Sequence, residues 1–242
     1  MRAPFVAIAA ILTVASALVG CGSGDAGSAS ANGPVRPPAI EVSGDPAGIS
    51  GAADASADGA SEIDSVVMIG DSITKGAMPF LDERFGLLGL DHTIEAENNK
   101  RMAVSVSDNP SGAAVAAFLA ENGDGDHTDE VWVVALGTND ISQYAGPDEI
   151  AAAVNEVLDE VPDDAALVWV DTYIADLPEQ TEAVNSIIRR RVERRGDSVI
   201  APWTSFVEGD GVLTGDGVHP TTGGADVFAF VVTDTVRAFL DR

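Results

Sequence analysis

SVVMIGDSITKG, residues 65–76, runs from a continuous apolar segment through Gly-Asp-Ser into a more polar one. Short Val- and Ile-rich runs closed by glycine are the pattern of strands buried on both faces. Asp71 and Ser72 then stand where a helix would begin, since either side chain can accept a hydrogen bond from a first-turn amide. Four further apolar runs follow: HTIEA (92–96), VWVVALG (131–137), ALVWVD (166–171) and SVIAPW (198–203). Helical patterns occupy 77–85, 112–121, 147–160, 178–195 and 221–240. Strand and helix thus alternate throughout, which predicts an α/β domain with a mostly parallel sheet covered by helices on both sides. Ligands of such sheets bind beyond the carboxyl ends of the strands, so the loops after the first three strands are where chemistry is expected.

The chain has 242 residues, enough for one sizeable core, and carries a formal net charge of -26 with only 13 Lys and Arg. That balance opposes nucleic acid and anionic lipid headgroups as partners. Residues 1–20 read as a signal peptide, with Arg2 ahead of the uncharged stretch PFVAIAAILTVASALVG. LVGC, residues 18–21, resembles the lipobox of bacterial lipoproteins, which implies lipidation of Cys21, the sole cysteine, and anchoring to the outer face of the cell membrane. Residues 21–63 are Gly, Ala, Ser, Asp and Pro with almost no large apolar side chain, a composition predicted to form a disordered tether. Residues 64–242 are then the folded domain, expected to be a monomer held to the membrane by its lipid anchor alone.

Taken alone, Ser72 is read more simply as a helix cap than as a nucleophile. The segment is not a phosphate loop, because Lys75 precedes Gly76 and no Ser or Thr follows the pair in the required order. It is not a dinucleotide fingerprint, and Thr74 occupies the second glycine of a G-x-S-x-G elbow. GDGVHPTTGG, residues 215–224, changes the balance by placing Asp216 and His219 in one loop ahead of the last helix. A serine hydroxyl needs a base to accept its proton, and that base needs a carboxylate to fix its tautomer. LGTND, residues 136–140, adds Asn139, a neutral amide donor suited to an oxyanion, and Gly137 for a tight turn. His92 and His127 are expected on the solvated surface. IIRRRVERR (187–195) is expected to be a solvated helix face, and ENGDGDHTDE (121–130) a polar loop without calcium-loop spacing.

GDSIT, GTND and DGVHP together resemble three of the four sequence blocks of the SGNH, or GDSL-like, hydrolases, in order and in strand context. The resemblance implies a flavodoxin-like three-layer α/β/α sandwich with a five-stranded parallel sheet. It also implies a serine esterase acting through an acyl-enzyme without metal or cofactor, on small-molecule, glycan or lipid esters. Ser72 would be the nucleophile, His219 the base and Asp216 its partner, with the Ser72 amide and the Asn139 side chain donating to the oxyanion. The fourth block departs: in ENNKRMA, residues 97–103, Lys100 stands where the family's oxyanion-binding glycine would be. Its amide is expected to donate in the glycine's place, and its ammonium to favour an anionic substrate. The alternatives are an envelope lipoprotein that binds a glycan or protein with impaired catalysis, and an acyltransferase of the same fold.

Overall fold

The computed structural model describes residues 63–123 and 125–240. The expected signal peptide, Cys21 and nearly all of the tether lie outside the described residues.

The five strands are β1 (Ser65–Gly70), β2 (Asp91–Ala96), β3 (Glu130–Ala135), β4 (Ala166–Val170) and β5 (Ser198–Ala201). They pair in parallel in the order β2-β1-β3-β4-β5, the flavodoxin-like arrangement. The α-helices are α1 (Ser72–Leu88), α2 (Gly112–Asn122), α3 (Pro147–Leu158), α4 (Pro178–Val192) and α5 (Thr222–Leu240). The three-layer fold inferred from the sequence is the fold observed. Chain order reverses between β1 and β3, so the loops after these two strands open a crevice at the sheet edge.

Alternation along the central strands divides the core. Val131, Val133 and Ala135 of β3 meet α1 and α5 on one face, while Trp132 and Val134 meet α2, α3 and α4 on the other. Such strands are fully buried, which is why they read as unbroken apolar runs. β2 alternates exposed and half-buried residues because it is an edge.

Boundaries shift where turn chemistry intervenes. α1 begins at Ser72, earlier than the apolar period alone suggests, because its buried stripe Ile73, Ala77, Leu81 and Phe85 starts directly after the strand. It ends at Gly89, whose φ of 77° lets the Gly89 amide donate back to the Gly86 carbonyl. β5 stops at Ala201 because Pro202 has no N–H for the ladder, and Trp203–Ser205 form a single 3-10 turn. His127 is not surface-exposed as expected. It is buried edge-on to Trp132, with its Nδ1–H donating to Glu130 Oε2 at 2.7 Å, so a carboxylate three residues away compensates its burial. His92 is half-buried beside Asp82. In the 187–195 segment, Arg190 is exposed, but Arg195 folds under the α3–β4 connection onto the carbonyls of Leu158 and Pro162.

Candidate active site

Asp71, not Ser72, caps α1. Its Oδ1 accepts the Ile73 N–H at 2.9 Å, so Ser72 takes the first helical position with its hydroxyl uncommitted to the backbone. That hydroxyl lies 3.0 Å from His219 Nε2, and His219 Nδ1 lies 2.7 Å from Asp216 Oδ2. A carboxylate only accepts, so Nδ1 carries the imidazole proton and Nε2 presents its lone pair to the serine O–H. Asp216 Oδ1 also accepts the amides of Val218 and His219, each at 2.9 Å, and the Thr214 hydroxyl at 2.8 Å. The His219 amide first, then its imidazole, hold the Asp216 carboxyl well below the usual carboxylate range.

The loop bearing this pair is pinned at several points. Leu213 and Pro220 form an isolated bridge, and the Ala175 amide donates to the Gly217 carbonyl at 2.9 Å. Gly217 has φ 68°, and a Cβ there would stand 2.7 Å from the Ala175 Cβ. Gly224, at the start of α5, lies against the Val212 carbonyl, where a Cβ would come within 1.9 Å of the oxygen. Both glycines permit approaches closed to other residues.

The sequence predicts three oxyanion donors: the amides of Ser72 and Lys100 and the side chain of Asn139. The Ser72 N–H is a first-turn amide and has no intrahelical acceptor by helix geometry. Asn139, in the 3-10 turn Thr138–Asp140 that Gly137 initiates at φ 127°, donates its Nδ2 hydrogens to Asp71 Oδ2 and to the Lys100 carbonyl, both at 3.2 Å. An oxyanion would compete with the Lys100 carbonyl for the second of these.

Lys100 departs from the sequence expectation. Its amide closes a turn onto the Glu97 carbonyl at 3.3 Å, so in this conformation the donor expected from the fourth block points into its own loop. Its side chain is buried, with Nζ donating to Asn109 Oδ1 at 3.0 Å and to the Pro110 carbonyl at 3.1 Å, and burial lowers its pKa. The ammonium braces the 105–111 loop and does not face the serine. The left-handed residue of this turn is Asn99, φ 59°, which explains why Lys is tolerated at 100.

The sequence profile of the GDSL-like lipase/acylhydrolase family matches residues 68–227, more than half of the chain. The chain belongs to this family. The GDSL hydrolase is accordingly a serine ester hydrolase. Among curated protein sequences, none matches it. Among solved structures it resembles the C-terminal catalytic domain of Streptococcus pneumoniae peptidoglycan O-acetyltransferase A, with 19% identity over 74% of this chain and 95% of that one, at a TM-score of 0.56. It also resembles the esterase EstA from Pseudoalteromonas sp. (13% identity, 74% and 100% coverage, TM-score 0.54). A third is a Clostridium thermocellum family 3 carbohydrate esterase (15% identity, 72% and 96% coverage, TM-score 0.52). At these identities the likenesses concern the fold.

Several residues in and around these sequence blocks shape the site of this GDSL hydrolase through contacts that the motifs do not reveal. Asp140 Oδ2 accepts the Met102 amide at 3.1 Å, and its Oδ1 accepts the Tyr144 hydroxyl at 2.9 Å and Arg101 Nε at 3.3 Å. Arg101 also stacks over the Tyr144 ring at 5.2 Å, so the loops after β2 and β3 are locked together with Asn139 between them. Lys75 pairs with Glu97 at 2.7 Å beside the serine. An Asp following Asn139 and an Arg following Lys100 were the available signals; their pairing across the crevice was not legible from spacing.

Proposed function

We propose that this GDSL hydrolase removes short acyl groups from a polar, hydroxyl-rich alcohol such as an O-acetylated glycan of the cell envelope. The supporting observation is that two unlike grooves meet at Ser72 and His219. One, of about 220 Å³, has the apolar side chains of Ile73, Phe80, Pro220 and Ala225 beside Thr221 and Thr222 and suits a small acyl group. The other, of about 470 Å³, is lined by Lys75, Gly76, Asn98 and Asn99, with no large apolar wall, and suits a hydrogen-bonding alcohol. Solved structures of the same fold include a peptidoglycan O-acetyltransferase and a carbohydrate esterase, which is consistent with this class.

In this reading Ser72 Oγ attacks the ester carbonyl carbon while His219 Nε2 takes its proton. Collapse of the tetrahedral intermediate expels the alcohol, which receives that proton, and leaves an acyl-Ser72. Water, deprotonated by the same nitrogen, then attacks the acyl carbon and releases the acid. The uninterrupted chain from Asp216 through His219 to Ser72 argues against an impaired binding protein. The larger groove also has room for an acceptor sugar, so acyl transfer is a second reading, distinguished by product analysis with competing acceptors.

The expected result of an ester panel is a preference for acetyl over octanoyl esters of at least about tenfold in kcat/KM, since a longer chain must displace the groove walls and such overpacking costs about 1–3 kcal/mol. Acetylated sugars should outperform acetate esters of long aliphatic alcohols. A preference for long acyl chains would overturn this substrate class.

The envelope location rests on the lipobox-like LVGC sequence. Wild type is expected to enter the detergent phase on Triton partitioning and Cys21→Ala to leave it. Equal partitioning of the two would remove the anchor.

A further inference from the structure

Beneath the turn that joins β1 to α1 is a small cavity, with about 10 Å³ available to the centre of a water-sized sphere. Its polar lining comes from Asp71, Thr138, Asp171, Thr172 and Trp203. Thr138 and Thr172 share one hydrogen bond at 2.6 Å, one hydroxyl donating to the other. The Trp203 indole Nε1–H is buried and has no acceptor among the described residues. Asp71 and Asp171 are both buried; Asp71 accepts the Ile73 amide on one oxygen and the Asn139 side chain on the other, and Asp171 accepts the amide and hydroxyl of Thr204 together with the Trp203 backbone amide. A carboxylate oxygen can accept about two hydrogen bonds, so acceptor capacity remains on both sides of the cavity.

The space, one orphaned donor and two under-occupied carboxylates match one molecule that accepts once and donates twice, and about this volume is what a single buried water needs. We propose that the cavity binds one water molecule, which accepts the Trp203 indole N–H and donates its hydrogens to Asp71 and Asp171, and that Asp71, held in this cradle, is the positioning residue that orients Asn139 toward the oxyanion. The inference rests on the roles proposed above for Ser72 and Asn139. It assigns to Trp203, remote from the substrate grooves, an effect on catalysis.

The cradle is sensitive to pH because Asp71 is pushed up to about 7, chiefly by burial, against the opposing pull of the Ile73 amide and of His219. The charged and titratable groups facing it are His219 from the loop before α5, Asp140 at the end of β3 with its partner Arg101, and Asp171 at the end of β4. Only the ionised carboxylate accepts from Asn139 and from the water without a competing proton, so the positioned state forms as pH rises.

Trp203→Phe keeps an aromatic ring against Phe228, with which Trp203 makes an edge-on contact at 5.3 Å, and deletes the N–H. Its kcat at pH 7 is expected to fall by about three- to tenfold with KM unchanged. The midpoint of the kcat–pH profile is expected to rise by about half a pH unit or more, because the carboxylate has lost a stabilising donor. An unmoved midpoint would leave Trp203 a packing residue and overturn the cradle. A second readout uses the unmodified full chain and no substrate: the assigned Trp203 indole resonance, followed by NMR from pH 5.5 to 8.5. It is expected to titrate near 7 while those of Trp132 and Trp169 stay flat, and a flat Trp203 signal overturns the proposal even if the variant does not fold. A titrating indole in a protein inactive on every ester would instead count against the roles given to Ser72 and Asn139.

Discussion

Ser72→Ala is expected to lower ester hydrolysis by at least about four orders of magnitude and to abolish labelling by a serine-reactive fluorophosphonate, while the melting temperature stays within about 2 °C of wild type. The separation of the two effects follows from how the β1–α1 turn divides its work. Asp71 carries the helix cap, so removing the Ser72 hydroxyl takes no hydrogen bond from the backbone. What is lost is the atom 3.0 Å from His219 Nε2, and with it the acyl-enzyme route. Residual activity would then come from whatever oxyanion donors and binding groups still act on water as the nucleophile. Equal labelling of wild type and Ser72→Ala would place the nucleophile elsewhere and sink the assignment.

Asp71→Asn should move stability and activity in opposite directions. The Asp71 carboxyl has a native pKa of about 7 against an ordinary value of 3.8. Between these values the folded protein retains a proton that the unfolded chain has released, so this group makes the fold less stable as pH rises from about 4 to 7. The full excursion is on the order of 4 kcal/mol. A neutral amide at this position does not titrate, so the variant should show a shallower loss of stability between pH 5 and 8. At pH 8 it should be more stable than wild type by about 1–3 kcal/mol, because no buried charge remains. Asp140 and Asp171, also raised by burial, keep the slope from vanishing. Asp216 has the opposite sign, its contribution being lost only as pH falls through its depressed pKa, and it is too exposed to dominate. Meanwhile kcat should fall by about a hundredfold, since Asn139 loses its charged acceptor. Denaturant unfolding at the two pH values reads the first effect and steady-state kinetics the second. Identical pH slopes for both proteins would show that Asp71 does not titrate in this range.

The layered architecture was legible because strands buried on both faces leave unbroken Val, Ile and Trp runs, and Gly, Asp and Pro mark their ends. The grouping of Ser72, Asp216 and His219 was legible because each follows a strand or precedes a helix at the same sheet edge. What escaped was the fate of individual polar atoms. ENNKRMA shows a lysine where a glycine was anticipated, but only the structure shows that Asn99 takes the left-handed turn and that the ammonium is spent on Asn109 and Pro110. His127 was misplaced for a similar reason: its burial depends on Glu130 and Trp132 closing around it. Asp71 reads as half of a capping pair, and its second partner lies in the turn after β3.

His219 and Asp216 keep 47% and 50% of their side-chain surface exposed, so the reacting atoms sit on a rim and not at the bottom of a shaft. A catalyst of this shape does not have to extract its target group from the material that carries it. On the glycan substrate proposed above, such a rim would work on whatever protrudes from the polymer, one protruding group after another, with no strand end to find and no chain to thread.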